Sequence, residues 1–438
     1  MARFFIIVAL VLAIAVPLPA PAAPSISAYD FIELEISYTT LLARYYKPLT
    51  PRELVDGART GVAAELVARG IDDNSLPLTP AHVDFSDGSD LIDALVLRPL
   101  ARYGGKLDGH ALVTAAVAGE LAILRDPYTV IFRPPAFKKF NAFLGNTTFG
   151  GIGAVVTLDP KTQAATIERA LPDSAAAKAG LTHGDQILAV DGKNVSALSD
   201  GQDLMNALRG KVGTSVVLDV RKADGSNVQL TLTRSAVRDP EVHTNRFGDV
   251  AYISLSRFGD KAGSEVAGAV ADAQSEGAKA IVFDLRGNGG GYGDEATNVA
   301  SVFVPAGPIF TTRERGVAPA VSNATGKAEL HVPLAVLVDG DTASAAEIVT
   351  GAIQDDGIGK IVGTRTFGKG LVQSVYPLPD GSAIKMTTAR YTTPKGRDID
   401  RVGIQPDVVV PEPPGSQVGD AAADPQLAAA LALFASSP

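Results

Sequence analysis

The sequence predicts a multidomain chain of α/β and α+β parts. It should comprise an N-terminal helical region, a small β-rich module, and an open α/β sheet flanked by helices. Three observations carry this. Apolar residues recur at three- and four-residue spacing up to about residue 139. Short β-branched runs bounded by Gly, Asp and Asn follow to about residue 236. Strand-like and helix-like runs then alternate from residue 250 onward. With 438 residues, 46% of them hydrophobic, the chain can bury more than one core.

The first 23 residues, "MARFFIIVALVLAIAVPLPAPAA", place Arg3 before an apolar run over 4–16 and end in small residues. That run is short for a membrane span, which needs about 20 residues. It is expected to be a signal peptide cut near Ala22 or Ala23, with an uncleaved membrane anchor as the alternative. There is no cysteine, which excludes disulfides, thiolate metal sites and a cysteine nucleophile. A net charge of -9 with no basic cluster argues against a nucleic-acid partner.

Residues 24–146 form the helical region. "YDFIELEISYTTLLARYY", "TPRELVDGARTGVAAELVARG" and "GHALVTAAVAGELAIL" are its candidate helices, and Pro51 directly after Thr50 marks a helix entry. Between them, 71–105 carries turn-formers such as "TPAHVDFSDGSD" and is expected to be an irregular insertion. Residues 147–237 predict five or six strands with short helices at "SAAAKAG" and "DGQDLMNALRG". Residues 238–414 predict the open sheet, and 415–438 a C-terminal tail.

"VDGDTASAAEI" follows the apolar run "PLAVLV". Ser344 and Glu347 fit the S-x-x-E capping box. Ser344 also lies beyond the carboxyl end of a strand, where open α/β sheets place their sites. As a nucleophile its hydroxyl needs a base. The five histidines, His82, His110, His183, His243 and His331, are poorly placed, and neither G-x-S-x-G nor H-E-x-x-H occurs. A neutral lysine is the other base that works with serine. "TRTFGKGLVQS" offers Lys369 between two glycines, with Gln373 able to orient an amine; an ordinary surface lysine is the alternative. To serve as a base, Lys369 must lose roughly 3 pK units, about 4 kcal/mol of desolvation.

The loop "DLRGNGGGYGD" can turn backbone N–H groups toward an anion, as an oxyanion hole or a phosphate loop would, or it is a plain tight turn. No G-K-[ST] ending supports a nucleotide. "FGGIGAVV" opens the β-rich module. The amides of Ile152, Gly153 and Ala154 could hold a peptide's terminal carboxylate, with its last side chain near Leu204 and Leu208; a β-bulge is the alternative.

Taken together, these stretches resemble the carboxyl-terminal processing peptidases, or tail-specific proteases, which are Ser/Lys-dyad serine peptidases with a PDZ domain. "RDPYTVIFRPPAFKKF", "FGGIGAVV", "PDSAAAKAGLTHGDQILAVDGKNV", "GAKAIVFDLRGNGGG", "VLVDGDTASAAEIVTGAIQDD", "GTRTFGKGLVQSVYPLPDG", "RVGIQPDVVV" and "DPQLAAAL" follow the family's order over roughly 124–431. The resemblance implies a PDZ domain over 147–237 and a peptidase core over 238–414. It matches Ser344 to the nucleophile, Lys369 to the general base and Gln373 to the residue that positions the lysine. Gly290 and Ala345 match the oxyanion-hole donors, and Asp355 falls where members carry an aspartate. It further implies cleavage of exported polypeptides near free apolar C-termini, in a bacterial periplasm or cell envelope, without metal or organic cofactor. A homo-oligomer or an adaptor protein fits the same picture. The stretch 71–105 departs from the family pattern and bears on assembly and gating. Two other readings remain at this level: a non-catalytic PDZ tail-binding or chaperone-like protein, and a hydrolase of small esters.

Overall fold

The computed structural model describes residues 26–73, 75–145, 149–158, 164–171, 174–198, 201–237, 241–413 and 418–435. The expected signal peptide lies outside the described residues. The chain divides into two compact units. One holds the N-terminal residues up to Phe137 together with Glu314–Val317 and Val372–Ala389; the other holds Lys138–Arg313, Ala318–Leu371 and Arg390–Pro438.

Four helices build the first unit: α1 (Ala28–Arg44), α2 (Pro51–Ala68), α3 (Phe85–Tyr103) and α4 (Gly109–Ala122). Ser27 with Asp30, and Thr50 with Glu53, form capping boxes that satisfy the first amides of α1 and α2. Helices α2 and α4 pack backbone to backbone. A Cβ on Gly61 would fall 1.9 Å from the Ala115 carbonyl, so only glycine permits this approach. Leu34, Tyr38, Leu41, Leu54, Val62, Leu95 and Leu112 fill the core between the four helices. Strand Val130–Phe132 pairs antiparallel with Ala383–Thr392, which adds Ile384 and Met386 to the same core.

Helix α3 corrects the expectation of an irregular 71–105. Its apolar face, Ile92, Leu95, Val96 and Leu100, has helical spacing, but Gly88 and Pro99 interrupt the pattern. Gly88 is required because a Cβ there would meet the Tyr38 hydroxyl at 2.1 Å.

In the second unit, strands Ala154–Leu158, Ala165–Ala170, Gln186–Val190, Ser215–Arg221 and Asn227–Thr233 form an antiparallel sheet in that order, with Lys193–Asn194 added to the third. Helices Ala175–Lys178 and Gly201–Leu208 stand at the two expected positions. Ile152, Ile167, Ile187, Leu204, Leu208, Val216, Leu218 and Val220 share its core.

A six-stranded sheet completes the unit. Its order is Val242–Phe247, Val250–Leu255, Ala280–Asp284, Leu334–Val338, Gly359–Gly363 and Val408–Val409, and every pairing after the first is parallel. Ala280–Asp284 and Leu334–Val338 are buried at every residue, which is why both read as uninterrupted apolar runs. The stretch expected as a C-terminal tail contains a helix. Helix Pro425–Ala435 packs Leu427 and Ala430 onto Val282, Ala335, Leu337 and Val362 of the sheet.

Candidate active site

Ser344 lies between strand Leu334–Val338 and helix Ala345–Asp356, at the helix's N-cap. Its backbone has φ 58 and ψ -117. For a residue with a side chain, this left-handed region costs on the order of 1–3 kcal/mol, so the surroundings must impose it. They do so with identified bonds. The Ala343 amide donates to the Asn288 carbonyl at 2.9 Å, and the Ser344 carbonyl accepts from Ile348 N at 2.9 Å. It also accepts from the Tyr391 hydroxyl at 3.1 Å. Tyr391 is 1% exposed, and burial, with Glu347 and Asp400 nearby, pushes its hydroxyl well above the usual phenol range.

Glu347 is the centre of this arrangement. Its carboxylate, 0% exposed, accepts from the Ser344 amide at 2.9 Å and from the Lys369 amide at 2.8 Å. It also accepts from Gly368 N at 2.7 Å and the Thr366 hydroxyl at 2.6 Å. One carboxylate thus joins the backbone at Ser344 to the backbone at Lys369. The sequence revealed only the cap. The glutamate half of the capping box is a full hydrogen bond, while the serine hydroxyl faces the helix's first turn without a side-chain cap bond.

The glycines around Lys369 have steric causes. A Cβ on Gly368 would lie 2.8 Å from Gly403 N, and one on Gly370 2.8 Å from Asp400 N. Both Ser344 and Lys369 are half-buried. Gln373 lies further along, on strand Leu371–Pro377, and belongs to the helical unit.

The glycine loop approaches the serine directly. Gly290, at φ 98, would place a Cβ 2.8 Å from the Ser344 Cβ and 3.0 Å from Ala345 N. The two residues expected as oxyanion donors are therefore neighbours. Gly290 N donates to Asn288 Oδ1 at 2.9 Å, so an incoming oxyanion must share or displace that bond. Asn288, fully buried, donates its own amide to the Leu255 carbonyl at 2.7 Å. Asp355 bonds Arg397 and the Lys395 amide, a structural duty. His331 is exposed just before the strand leading to Ser344, at the end away from it.

In the antiparallel module, Ile152 is 3% exposed and its carbonyl accepts from Ala176 N at 2.8 Å. Gly153 has φ 73, its carbonyl accepts from Leu171 N at 2.9 Å, and a Cβ would fall 2.3 Å from Ser174 Cβ. Ala154 begins a strand at the end of its sheet, leaving one edge unpaired among the described residues. Leu204 and Leu208, expected to line a tail pocket, are 1% and 4% exposed and face the module's core. Their helical spacing is the spacing of core residues.

A serine held in a strained strand-to-helix turn, against a glycine loop and tied to a lysine segment, defines a serine hydrolase on an open α/β sheet. The family model for peptidase family S41 matches residues 249–410, and that for the PDZ domain matches 166–222. A carboxyl-terminal-processing protease of Picosynechococcus is 36% identical over 73% of this chain and 78% of its own length. The carboxy-terminal processing protease CtpA of Bacillus subtilis is 32% identical over 70% of this chain and 65% of its own. The solved photosystem II D1 C-terminal processing protease aligns over 91% of this chain and 96% of its own, with a TM-score of 0.50 and 25% identity. The chain belongs to the carboxyl-terminal processing proteases of peptidase family S41. It is a serine peptidase with a PDZ domain, and its substrates are polypeptides. These findings support the peptidase reading over that of a non-catalytic binding protein. No helix among the described residues is long and apolar enough to cross a membrane.

Proposed function

We propose that Ser344 is the nucleophile and Lys369, as a neutral amine, the general base. The lysine takes the hydroxyl proton as Oγ adds to the scissile carbonyl carbon. The oxyanion is held by the amides of Gly290 and Ala345. Collapse then expels the amine, which leaves with the proton from Lys369, and water hydrolyses the ester by the same route. The part of positioning the lysine falls to Gln373 on the resemblance alone. The observation that carries this reading is Glu347, whose one carboxylate binds the amides of both Ser344 and Lys369.

The substrate's terminal carboxylate docks on the amides of Ile152, Gly153 and Ala154, and its last residues add along the unpaired edge of Ala154–Leu158. Leu204 and Leu208 then act as the apolar floor beneath the last side chain. The natural substrates are exported polypeptides with apolar C-termini, residues 1–23 being the export signal. The domain limits are 147–237 for the PDZ domain and 238–414 for the peptidase core. Self-association or an adaptor protein can be added to this scheme; no metal or organic cofactor enters it.

The test is cleavage of a loosely folded reporter with an apolar C-terminal tail by mature wild type, Ser344→Ala and Lys369→Ala, with mass spectrometry of the products. Cutting by wild type alone is expected. Residual cutting by Ser344→Ala at the wild-type rate would overturn the assignment.

A further inference from the structure

The glycine loop that meets Ser344 begins at the end of strand Ala280–Asp284, and its first residues are clamped from three sides. Gly287 N donates to Asp339 at 2.9 Å, and Asn288 is bound to the Leu255 carbonyl. The third clamp comes from the far end of the chain. Arg286 donates from Nη1 to Asp424 Oδ1 at 2.9 Å and from Nη2 to Asp424 Oδ2 at 2.7 Å. The same guanidinium reaches Asp284 Oδ2 at 2.6 Å and Gln426 Oε1 at 3.1 Å. Asp284 also accepts from the Tyr252 hydroxyl at 2.7 Å. The side chains of Arg286 and Asp424 are 2% and 0% exposed.

A bidentate guanidinium–carboxylate pair out of water fixes direction as well as distance. Arg286 is four residues before Gly290, so a shift of its backbone is passed to the oxyanion loop with few rotatable links between. Asp424 has a second, local task. It accepts from Leu427 N at 3.0 Å and Gly419 N at 2.9 Å, which caps helix Pro425–Ala435. The helix end and the loop are thereby fastened to one carboxylate. Burial would raise the Asp424 carboxyl, but the Arg286 bonds and these two amides hold it below the usual range.

We propose that Asp424 is a positioning residue of the peptidase: through Arg286 it holds the glycine loop in register with Ser344, making the C-terminal helix a working part of the catalytic apparatus. This rests on the assignment of Ser344 as nucleophile.

The two tasks of Asp424 can be separated. Asparagine caps a helix as well as aspartate does, but it cannot supply both acceptors and the negative charge that Arg286 meets. Asp424→Asn keeps the cap acceptor for Leu427 N but turns an amide toward Arg286 Nη2 and Gly419 N, so it is expected to fold with a lowered melting temperature and to lose about 10- to 100-fold in kcat, the cost of a displacement near 1 Å at a reacting centre. KM for the tailed reporter should stay within about twofold. A peptide aldehyde, whose hemiacetal with Ser344 presents an oxyanion to the same loop, should weaken in parallel with kcat. A cap-only role would move neither. Normal kcat and normal aldehyde affinity in Asp424→Asn, with Ser344→Ala inactive, would overturn the latch and leave the nucleophile standing. An active Ser344→Ala would instead remove the premise. Should Asp424→Asn fail to fold, Gln426→Leu takes its place. It removes another acceptor of Arg286 and leaves the cap, so a several-fold fall in kcat at constant KM is expected, and an unchanged kcat would overturn the latch.

Discussion

Glu120 in the helical unit and Glu347 in the sheet unit are both 0% exposed glutamates on helices. Their surroundings differ in the number of donors. Glu347 accepts four hydrogen bonds, two on each oxygen, and three come from backbone amides. Among the described residues Glu120 is bonded by one hydroxyl, that of Ser37, and its Oε1 is buried without a partner. Four converging donors fill the acceptor positions of a carboxylate in place of water. A single hydroxyl is not enough, and burial raises the Glu120 carboxyl to about 8 despite the Ser37 bond. The same residue type is thus an organiser of two chain segments in one core and a proton-binding group in the other. Burial alone does not distinguish the two roles; the donor count does.

The sharpest way to break this contrast is to remove the organiser. Glu347→Ala strands the amides of Ser344, Gly368 and Lys369 and frees the two segments to move apart. A kcat loss of about 100-fold or more is expected, since misplacement near 1 Å already costs that much. The measurement is single-turnover cleavage of the tailed reporter beside a melting curve. A folded Glu347→Ala with more than a tenth of wild-type kcat would show that Ser344 and Lys369 are positioned by something else.

A smaller effect should follow from altering the docking loop while leaving the organiser intact. Gly153→Ala brings a Cβ to 2.3 Å from Ser174 Cβ at a φ of 73, so the Ile152–Ala154 turn must rearrange. On the proposal that this turn receives the substrate tail and not the scissile bond, KM should rise about tenfold with kcat nearly kept. Fluorescence titration with a short apolar peptide bearing a free carboxylate checks it. Unchanged affinity would move tail recognition away from this loop.

How far the sequence revealed these regions follows from where each partner lies. Ser344, Lys369 and the glycine loop were readable because each is flanked by glycines or small residues whose spacing has a backbone cause. Glu347 was readable only as a cap, because Thr366, Gly368 and Lys369 reach it through folding. Arg286 and Asp424 are as distant in the chain as their bond is short, and no local pattern joins them. Helix α3 was hidden by Gly88 and Pro99, the first forced by Tyr38 packing from another helix. At Leu204 and Leu208 the apolar periodicity marks burial, and by itself it does not distinguish a pocket floor from a core.

The smallest expected effect on activity, and the one that completes the contrast, is at Glu120. Its folded-state carboxyl titrates near 8 against a reference of 4.5. Between those values the folded protein holds a proton that the unfolded chain releases. The associated stability is therefore present below about pH 4.5 and lost as pH rises through about 8. Glu120→Gln keeps the shape and the neutral state at every pH, and it gives Ser37 an acceptor it can use. The variant should cleave the reporter at the wild-type rate. Its urea midpoint should stay level between roughly pH 5 and 9, where the wild-type midpoint falls. The equivalent change at Glu347 turns an amide N–H toward donors that need an acceptor, so it should slow cleavage instead. If Glu120→Gln retains the wild-type pH slope, Glu120 is ionised in the folded state and is not the proton-binding group.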